Sequence, residues 1–161
     1  MNNAPGDLVF CHSKGIVSLA IRWAERLRWR HASQWNHVAI IDRVVDGKTY
    51  VIQAEGKGVT NIRTLDEVAP GGSYIIVRPP QSVDVESLLH FARKQVGAQY
   101  GFLTIAAVAL SLILPWFITV RIPNTWICSA LAAESLRAGG WIHDWPDLYL
   151  VSPAQLRLAL S

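Results

Sequence analysis

Apolar residues in the first half of the chain come in short runs that turn residues separate, a pattern typical of β-strands. Asp46-Gly47 divides two of these runs and predicts a tight hairpin turn, because glycine tolerates positive φ. Strands are predicted over five ranges: 6–10, 36–41, 49–55, 59–62 and 73–77.

Apolar residues three or four positions apart instead predict helices, of which one lies early in the chain and the others late. The helices are predicted over 16–30, 83–96 and about 125–138, with a short last one that starts at Ser152-Pro153. Asn124 or Thr125 is predicted as the N-cap of the third helix, which Gly139-Gly140 ends. A strand-rich half followed by a helical half indicates a single α+β domain over residues 1–161.

One uncharged segment of 19 residues, 102–120, complicates this interpretation. Its length reaches the range of a membrane span. Pro115 interrupts it, however, so a buried helix followed by a loop fits at least as well. We predict an apolar insert with a helix over about 102–114, which packs on the domain, on lipid or on a partner protein. Its excess apolar surface predicts self-association or weak membrane attachment.

Composition then narrows the class of protein. Apolar residues make up 51% of the chain and charged residues 17%, which excludes a disordered polypeptide. A net charge of +3 without a basic motif predicts no nucleic-acid partner. Two cysteines are too few for a disulfide framework, and the sequence leaves a single bridge between Cys11 and Cys128 open. The first ten residues lack the basic start and long apolar run of a signal peptide, and the compartment stays open.

Cys128 is the sharpest candidate for chemistry. If Thr125 caps the third helix, Cys128 lies in its first turn, where free backbone N–H groups and the helix dipole stabilise a thiolate. The same N–H groups could help to hold an oxyanion. The alternative is a buried structural cysteine, because free cysteine is among the most buried residue types.

A nucleophilic thiol near neutral pH needs a base, and His37 is the candidate. Strand alternation places His37 on the face of Ala39 and Ile41, so the alternative is a hydrogen-bonded core histidine. Gln53 and Glu55 share a face of the next strand, and either could orient the imidazole. Otherwise Gln53 is an ordinary cross-strand polar residue and Glu55 a solvated strand end.

Motifs for other chemistries are missing from the sequence. A metal site would use His12, His37 or His143 with a cysteine or a carboxylate, but no HExxH, CxxC or comparable spacing occurs. No GxxxxGK[ST] or GxGxxG loop occurs either. We therefore expect no metal and no cofactor.

Five short motifs in a fixed order resemble the circularly permuted branch of the NlpC-type papain-like cysteine peptidases. The motifs are GDLVF, NHVAIID, VIQAEGKGV, WICSALAAESLRAGG and SPAQL. In that branch the histidine precedes the cysteine, as His37 precedes Cys128 here. The resemblance covers nearly the whole chain and implies a central antiparallel sheet with the nucleophile helix packed against it.

The resemblance implies that Cys128 is the nucleophile, His37 the base and Gln53 the third residue, although Glu55 is the stronger acceptor. The family often has Glu-Ala where this chain has Gln53-Ala54. It often has Tyr-Asp where this chain has Tyr100-Gly101, followed here by the apolar insert.

The implied activity is cleavage of an amide or peptide bond, most simply in a peptidoglycan stem peptide. Relatives with this fold also include lipid acyltransferases, so a lipid acyltransferase or thioesterase is the first alternative. The compact form also resembles bacteriophage-encoded, tail-associated proteins. A non-catalytic structural module of a phage tail or virion is therefore the second alternative. The partner is then an oligomer or a virion assembly.

Overall fold

The short apolar runs form one antiparallel sheet of five strands in the computed structural model, which describes residues 3–12, 34–102, 123–145, 147–148 and 151–161. The strands are β1 (Leu8–Cys11), β2 (His37–Val45), β3 (Lys48–Glu55), β4 (Gly58–Thr64) and β5 (Tyr74–Val77). Their order across the sheet is β4-β3-β2-β1-β5, and every neighbouring pair is antiparallel. The predicted hairpin turn is confirmed, because Asp46 and Gly47 have φ values of 50° and 73°.

Four helices accompany the sheet in the described part of the chain, which makes the fold α+β. They are α1 (Leu65–Val68), α2 (Val85–Lys94), α3 (Cys128–Ala138) and α4 (Pro153–Ala159). The cap-plus-proline start of α4 is confirmed, because the Ser152 hydroxyl accepts a hydrogen bond from the Gln155 N–H at 3.2 Å. The predicted helix over 16–30 lies outside the described residues.

The predicted N-cap of α3 is wrong. Asn124 has a positive φ of 59° and Thr125 belongs to a strand, so neither residue caps the helix. The N-cap is Ile127, which is buried and gives no side-chain hydrogen bond. Cys128 is therefore the first residue of α3. Non-local strand pairing overrides the local preference of threonine for a cap position here.

Two short strands, β6 (Gln99–Tyr100) and β7 (Thr125–Trp126), pair in parallel. The Gly101 N–H donates to the Trp126 carbonyl at 3.0 Å and extends this pairing by one residue. The chain therefore leaves β6 and returns to β7 at the same place. Apart from Phe102, the predicted insert lies outside the described residues. Among the residues that are described, no helix is long and apolar enough to cross a membrane.

Alternating strand positions divide the core into two clusters. Phe10, Ile40 and Ile52 pack in the cluster that contains α2 and α3. Val9 and Ile41, one position along their strands, pack in the other cluster with α1. The helix α3 contributes small residues to the first cluster and packs on β2 and β3.

The far end of α3 is also held closely. The Asp84 N–H donates to the Gly139 carbonyl at 2.8 Å, which joins the start of α2 to the end of α3. A Cβ at Gly139 would lie 2.8 Å from the Asp84 carbonyl oxygen, so only glycine permits this approach. The end of α3 is thereby held against the start of α2.

Candidate active site

The Cys128 thiol lies at the N-terminus of α3 and is only 5% exposed. The backbone N–H groups of Ser129 and Val38 donate hydrogen bonds to its sulfur. The first donor comes from the free turn at the start of the helix, and the second comes from β2. The sequence prediction that Cys128 lies in the first helical turn is confirmed, although the cap differs.

His37 is the first residue of β2, and its imidazole is hydrogen-bonded to the Cys128 thiol. Its Nε2 lies 2.7 Å from the Gln53 side-chain oxygen in a buried contact. Because that amide oxygen can only accept, Nε2 carries the proton and Nδ1 is left for the thiol. Gln53 thus selects the tautomer that presents a basic nitrogen to sulfur.

Strand alternation alone does not explain the contact between His37 and Cys128. It assigns His37 to the face of Ala39 and Ile41, which pack in the second cluster. Cys128 belongs to the first cluster. The two side chains meet because β2 begins where α3 begins, at the same end of the sheet.

The structure brings together all four residues that the sequence marked for this site, in a definite order. Gln53 contacts the imidazole of His37, and its Nε2 donates to Glu55 at 3.3 Å. Glu55 also forms an ion pair with Arg63 at 3.4 Å and is partly exposed. Gln53 is therefore the direct partner of His37, and Glu55 lies one contact further out.

The electrostatics of the pair favour charge separation. Burial raises the pKa of the Cys128 thiol, but the charge and hydrogen bond of His37 and the two N–H donors bring it below its ordinary value. Burial lowers the pKa of His37, but the charge and hydrogen bond of Cys128, with Gln53 and Glu55, bring it above its ordinary value. These opposite shifts favour a thiolate beside an imidazolium.

The other cysteine has the opposite character. Cys11 is buried in β1, directly across from His37 in the strand register. Burial, and to a smaller extent the nearby charge of Cys128, raises the pKa of its thiol to about 12. Cys11 is therefore a neutral packing residue at ordinary pH.

Tyr100 lies beside the site, and sequence reasoning gave it no role. Burial, and then the charge of Cys128, raises the pKa of its hydroxyl. The pairing of β6 with β7 places it across from Trp126, two residues before the nucleophile. The one signal in the sequence was that Tyr100-Gly101 stands where the peptidases that the motifs resemble often have Tyr-Asp.

The other histidines considered as metal ligands lie elsewhere or have other contacts. The Nδ1 of His12 lies 3.5 Å from the side-chain nitrogen of Asn36. The ring of His143 stacks on Trp145 with 4.2 Å between ring centroids. Within the described ranges, no group of three or more His, Cys, Asp and Glu residues is placed to hold a metal ion.

Comparisons with known proteins add a fold neighbour and no family. No protein-family model and no curated protein matches the chain. Among solved structures, the chain is similar to the metalloprotein YiiX from Escherichia coli O157:H7, DUF1105, with a TM-score of 0.56 and 20% identity. The match covers 84% of this chain but only 65% of YiiX, and at this identity it shows the fold alone.

Proposed function

We propose that the protein is a cysteine hydrolase with a circularly permuted, papain-like fold of the NlpC type. The observation that carries the proposal is the buried row Cys128–His37–Gln53, in which each side chain hydrogen-bonds to the next. Nucleophile, base and orienting group are the three roles that acyl transfer by a thiol requires. The order of His37 before Cys128, each at the start of its element, matches the permuted arrangement.

The first half-reaction begins from the thiolate. His37 holds the thiol proton as imidazolium, and the Cys128 sulfur attacks the carbonyl carbon of an amide. The backbone N–H of Cys128 is the proposed donor to the developing oxyanion, since the start of a helix leaves such groups free. His37 then gives its proton to the leaving amine, and the acyl group remains on the sulfur as a thioester.

Water completes the cycle. The neutral His37 takes a proton from a water molecule, which attacks the thioester carbonyl, and the Cys128 thiolate leaves. Throughout both steps Gln53 keeps the imidazole in one tautomer and one orientation. As an amide it stabilises the imidazolium less than a carboxylate would, and Glu55 supplies part of the missing charge from behind it.

The proposed substrate is a peptide amide, with the stem peptides of peptidoglycan as the simplest case. The resemblance of the motifs to the permuted NlpC-type peptidases supports this substrate class. YiiX is named a metalloprotein, and a thiolate with an imidazole would supply two donors to a metal ion. The described residues add no third donor of the usual kinds, so the steps above use the side chains and backbone of the chain itself.

Digestion of purified peptidoglycan, synthetic stem peptides and lipid esters, with mass analysis of the products, tests the proposal. The parent protein is expected to release new amine and carboxyl ends from peptides, and Cys128→Ala is expected to release none. A parallel reaction with an alkylating probe at neutral pH should label Cys128 quickly.

Three results would count against the proposal. Products from lipid esters alone would favour the acyltransferase or thioesterase alternative. Absence of any Cys128-dependent product, together with slow labelling, would favour a virion module without catalysis. Hydrolysis that chelators abolish and an added metal ion restores would replace the thiol mechanism with metal-ion catalysis.

A further inference from the structure

One buried hydroxyl beside Gln53 has no part in the steps above. The Oγ1 of Thr60 is buried, and in the described part of the chain it has no hydrogen-bond partner. Buried polar atoms of native proteins almost always have a partner, so an exception calls for an explanation. Valine has a similar shape and an equal preference for strands, and it would bury no polar atom here. Stability alone therefore does not explain the hydroxyl.

The strand register places Thr60 directly across from the residue that orients the base. Gln53 of β3 pairs with Thr60 of β4, and Glu55 pairs with Gly58. Residues directly opposite each other on antiparallel strands share a face of the sheet, with their Cβ atoms about 5 Å apart. Because Gly58 has no side chain, the hydroxyl of Thr60 is what β4 presents to the polar side chains on this face of β3.

Contacts on its other edge hold β4 in place at this point. The Val59 N–H donates to the Ala98 carbonyl at 2.9 Å, and the Gly97 N–H donates to the Val59 carbonyl at 2.9 Å. A Cβ at Gly58 would lie 2.5 Å from the Ala98 carbonyl oxygen, so only glycine permits this approach. The strand therefore cannot move away from Gln53 without breaking these contacts.

The Gln53 amide has a donor for this hydroxyl. Its oxygen lies 2.7 Å from the Nε2 of His37, and its nitrogen donates to Glu55 at 3.3 Å. A primary amide carries two N–H groups, and the contact with Glu55 uses one of them. If the second N–H is also bonded to an oxygen atom, the amide is held at both N–H groups and its own oxygen stays on the imidazole.

We infer that Thr60 is a positioning residue, whose hydroxyl accepts the second N–H of the Gln53 amide, directly or through one internal water, when His37 is charged. This inference rests on the proposed function and adds a residue that acts on the base through Gln53. The imidazolium polarises the amide through its oxygen, and hydrogen bonds in a chain strengthen one another. The N–H is therefore a stronger donor in the charged state, in which the base holds the proton of the thiol.

Thr60→Val removes the hydroxyl and keeps the shape of the side chain. For Cys128-dependent hydrolysis of a stem peptide, kcat is expected to fall about three- to tenfold, the usual contribution of one hydrogen bond, with KM unchanged. The alkaline limb of the pH profile should move to lower pH, because the imidazolium of His37 loses part of its stabilisation. Thr60→Ser returns a hydroxyl and should restore both the rate and the limb.

Thermal unfolding separates positioning from a structural role. The midpoint of Thr60→Val should equal or exceed that of the parent, because the resting protein loses no hydrogen bond. A lower midpoint with an unmoved alkaline limb would show a structural role and overturn the inference. Thr49→Val is the matched control on β3, since the Thr49 hydroxyl accepts from the Asn3 side-chain nitrogen at 3.2 Å. It should leave kcat and the limb unchanged.

A double-mutant cycle tests the path through the amide. In a Gln53→Ala background, Thr60→Val should change kcat by less than about twofold, because the group that it holds is gone. An equal loss in both backgrounds would overturn the inference. The titratable and charged groups around the imidazole and the thiol stay the same in all these variants; they are Cys128 on α3, Cys11 on β1, Glu55 on β3, Arg63 on β4 and Tyr100 on β6.

Alkylation of Cys128 against pH needs no substrate and separates this inference from the proposed function. In Thr60→Val the midpoint of thiolate formation should move to higher pH, because the imidazolium beside the sulfur is less stable. Peptide hydrolysis by the parent, with kcat and the midpoint unchanged in Thr60→Val, would overturn the positioning role and leave the hydrolase proposal standing. A moved midpoint without Cys128-dependent turnover would do the reverse.

Discussion

Cys11 and Cys128 are both buried thiols, with exposures of 0% and 5%, and their pKa values move in opposite directions. Cys11 is the last residue of β1 and packs in the second core cluster, and burial, with a smaller contribution from the charge of Cys128, raises its pKa to about 12. Cys128 starts a helix, receives two backbone N–H bonds and faces His37. Burial alone raises the pKa of a thiol and keeps it neutral. Burial beside an imidazole and free N–H groups of a helix lowers the pKa and stabilises the nucleophilic thiolate.

The largest test of this comparison replaces each cysteine by alanine. Cys128→Ala should abolish hydrolysis, with a loss of about 10⁴-fold or more, because the proposed acyl-enzyme forms on the sulfur that this substitution removes. Alanine suits a helix, so the fold should survive. Cys11→Ala is the matched control and should keep activity within a few-fold per folded molecule. Equal losses in the two variants would contradict the assignment of roles.

Removal of the His37 imidazole should bring the pKa of Cys128 closer to that of Cys11. In His37→Ala, burial is no longer opposed by the imidazolium, so the pKa of Cys128 should rise towards that of Cys11. Hydrolysis should fall by about 10²–10⁴-fold, the usual contribution of a general acid–base. Alkylation rates measured against pH check this directly, and an unshifted profile would show that the helix alone activates the sulfur.

The rate of hydrolysis by the parent protein should show a bell-shaped dependence on pH. The acid limb should lie at lower pH, and the alkaline limb at higher pH, than the ordinary pKa values of a thiol and an imidazole would give. Its acid limb falls as the pH drops through the lowered pKa of Cys128 and the thiolate is lost. Its alkaline limb falls as the pH rises through the raised pKa of His37 and the general acid is lost. An acid limb at the ordinary pKa of a thiol would contradict the ion pair.

Gln53→Ala should produce a smaller loss, of about 10–100-fold in kcat, because one hydrogen bond to a charged group is removed. Gln53→Glu is the matched variant and should raise the pKa of His37 further, since a carboxylate stabilises imidazolium better than an amide. An alkaline limb that moves to higher pH in Gln53→Glu would confirm that this residue acts through the imidazole. A purely structural role would leave that limb in place.

The smallest effect is expected for Glu55→Gln, below about fivefold, because Glu55 acts through Gln53 and its pair with Arg63 is partly exposed. High salt should reduce the difference from the parent further. A loss larger than that of Gln53→Ala would show that Glu55, not Gln53, is the third residue in the working enzyme.

The elements that local chemistry determines were predicted well from the sequence. The Asp46-Gly47 hairpin and the Ser152 cap follow from residue preferences that act within four positions. The pairing of β6 with β7 was missed, because two residues are too few to show a period and their partners are distant in sequence. The wrong cap at Thr125 is a consequence of that omission.

The same division applies to the candidate site. Cys128, His37, Gln53 and Glu55 were found because their residue types and order carry the chemistry. Their arrangement in a single row depends on which strand ends lie next to the start of α3. The alternation of residues along a strand does not predict which ends these are. Tyr100 was missed because its place beside the thiol depends wholly on the ladder with Trp126.

That parallel ladder also governs how the protein tolerates change in length. Because Gln99 and Tyr100 pair with Thr125 and Trp126 in this ladder, the two strands hold the ends of the connecting segment side by side. The entropy of closing such a loop changes by only about 0.6 kcal/mol for each doubling of its length. The ladder therefore predicts that a segment joining β6 to β7 can change in length at little cost in free energy while the sulfur keeps its position.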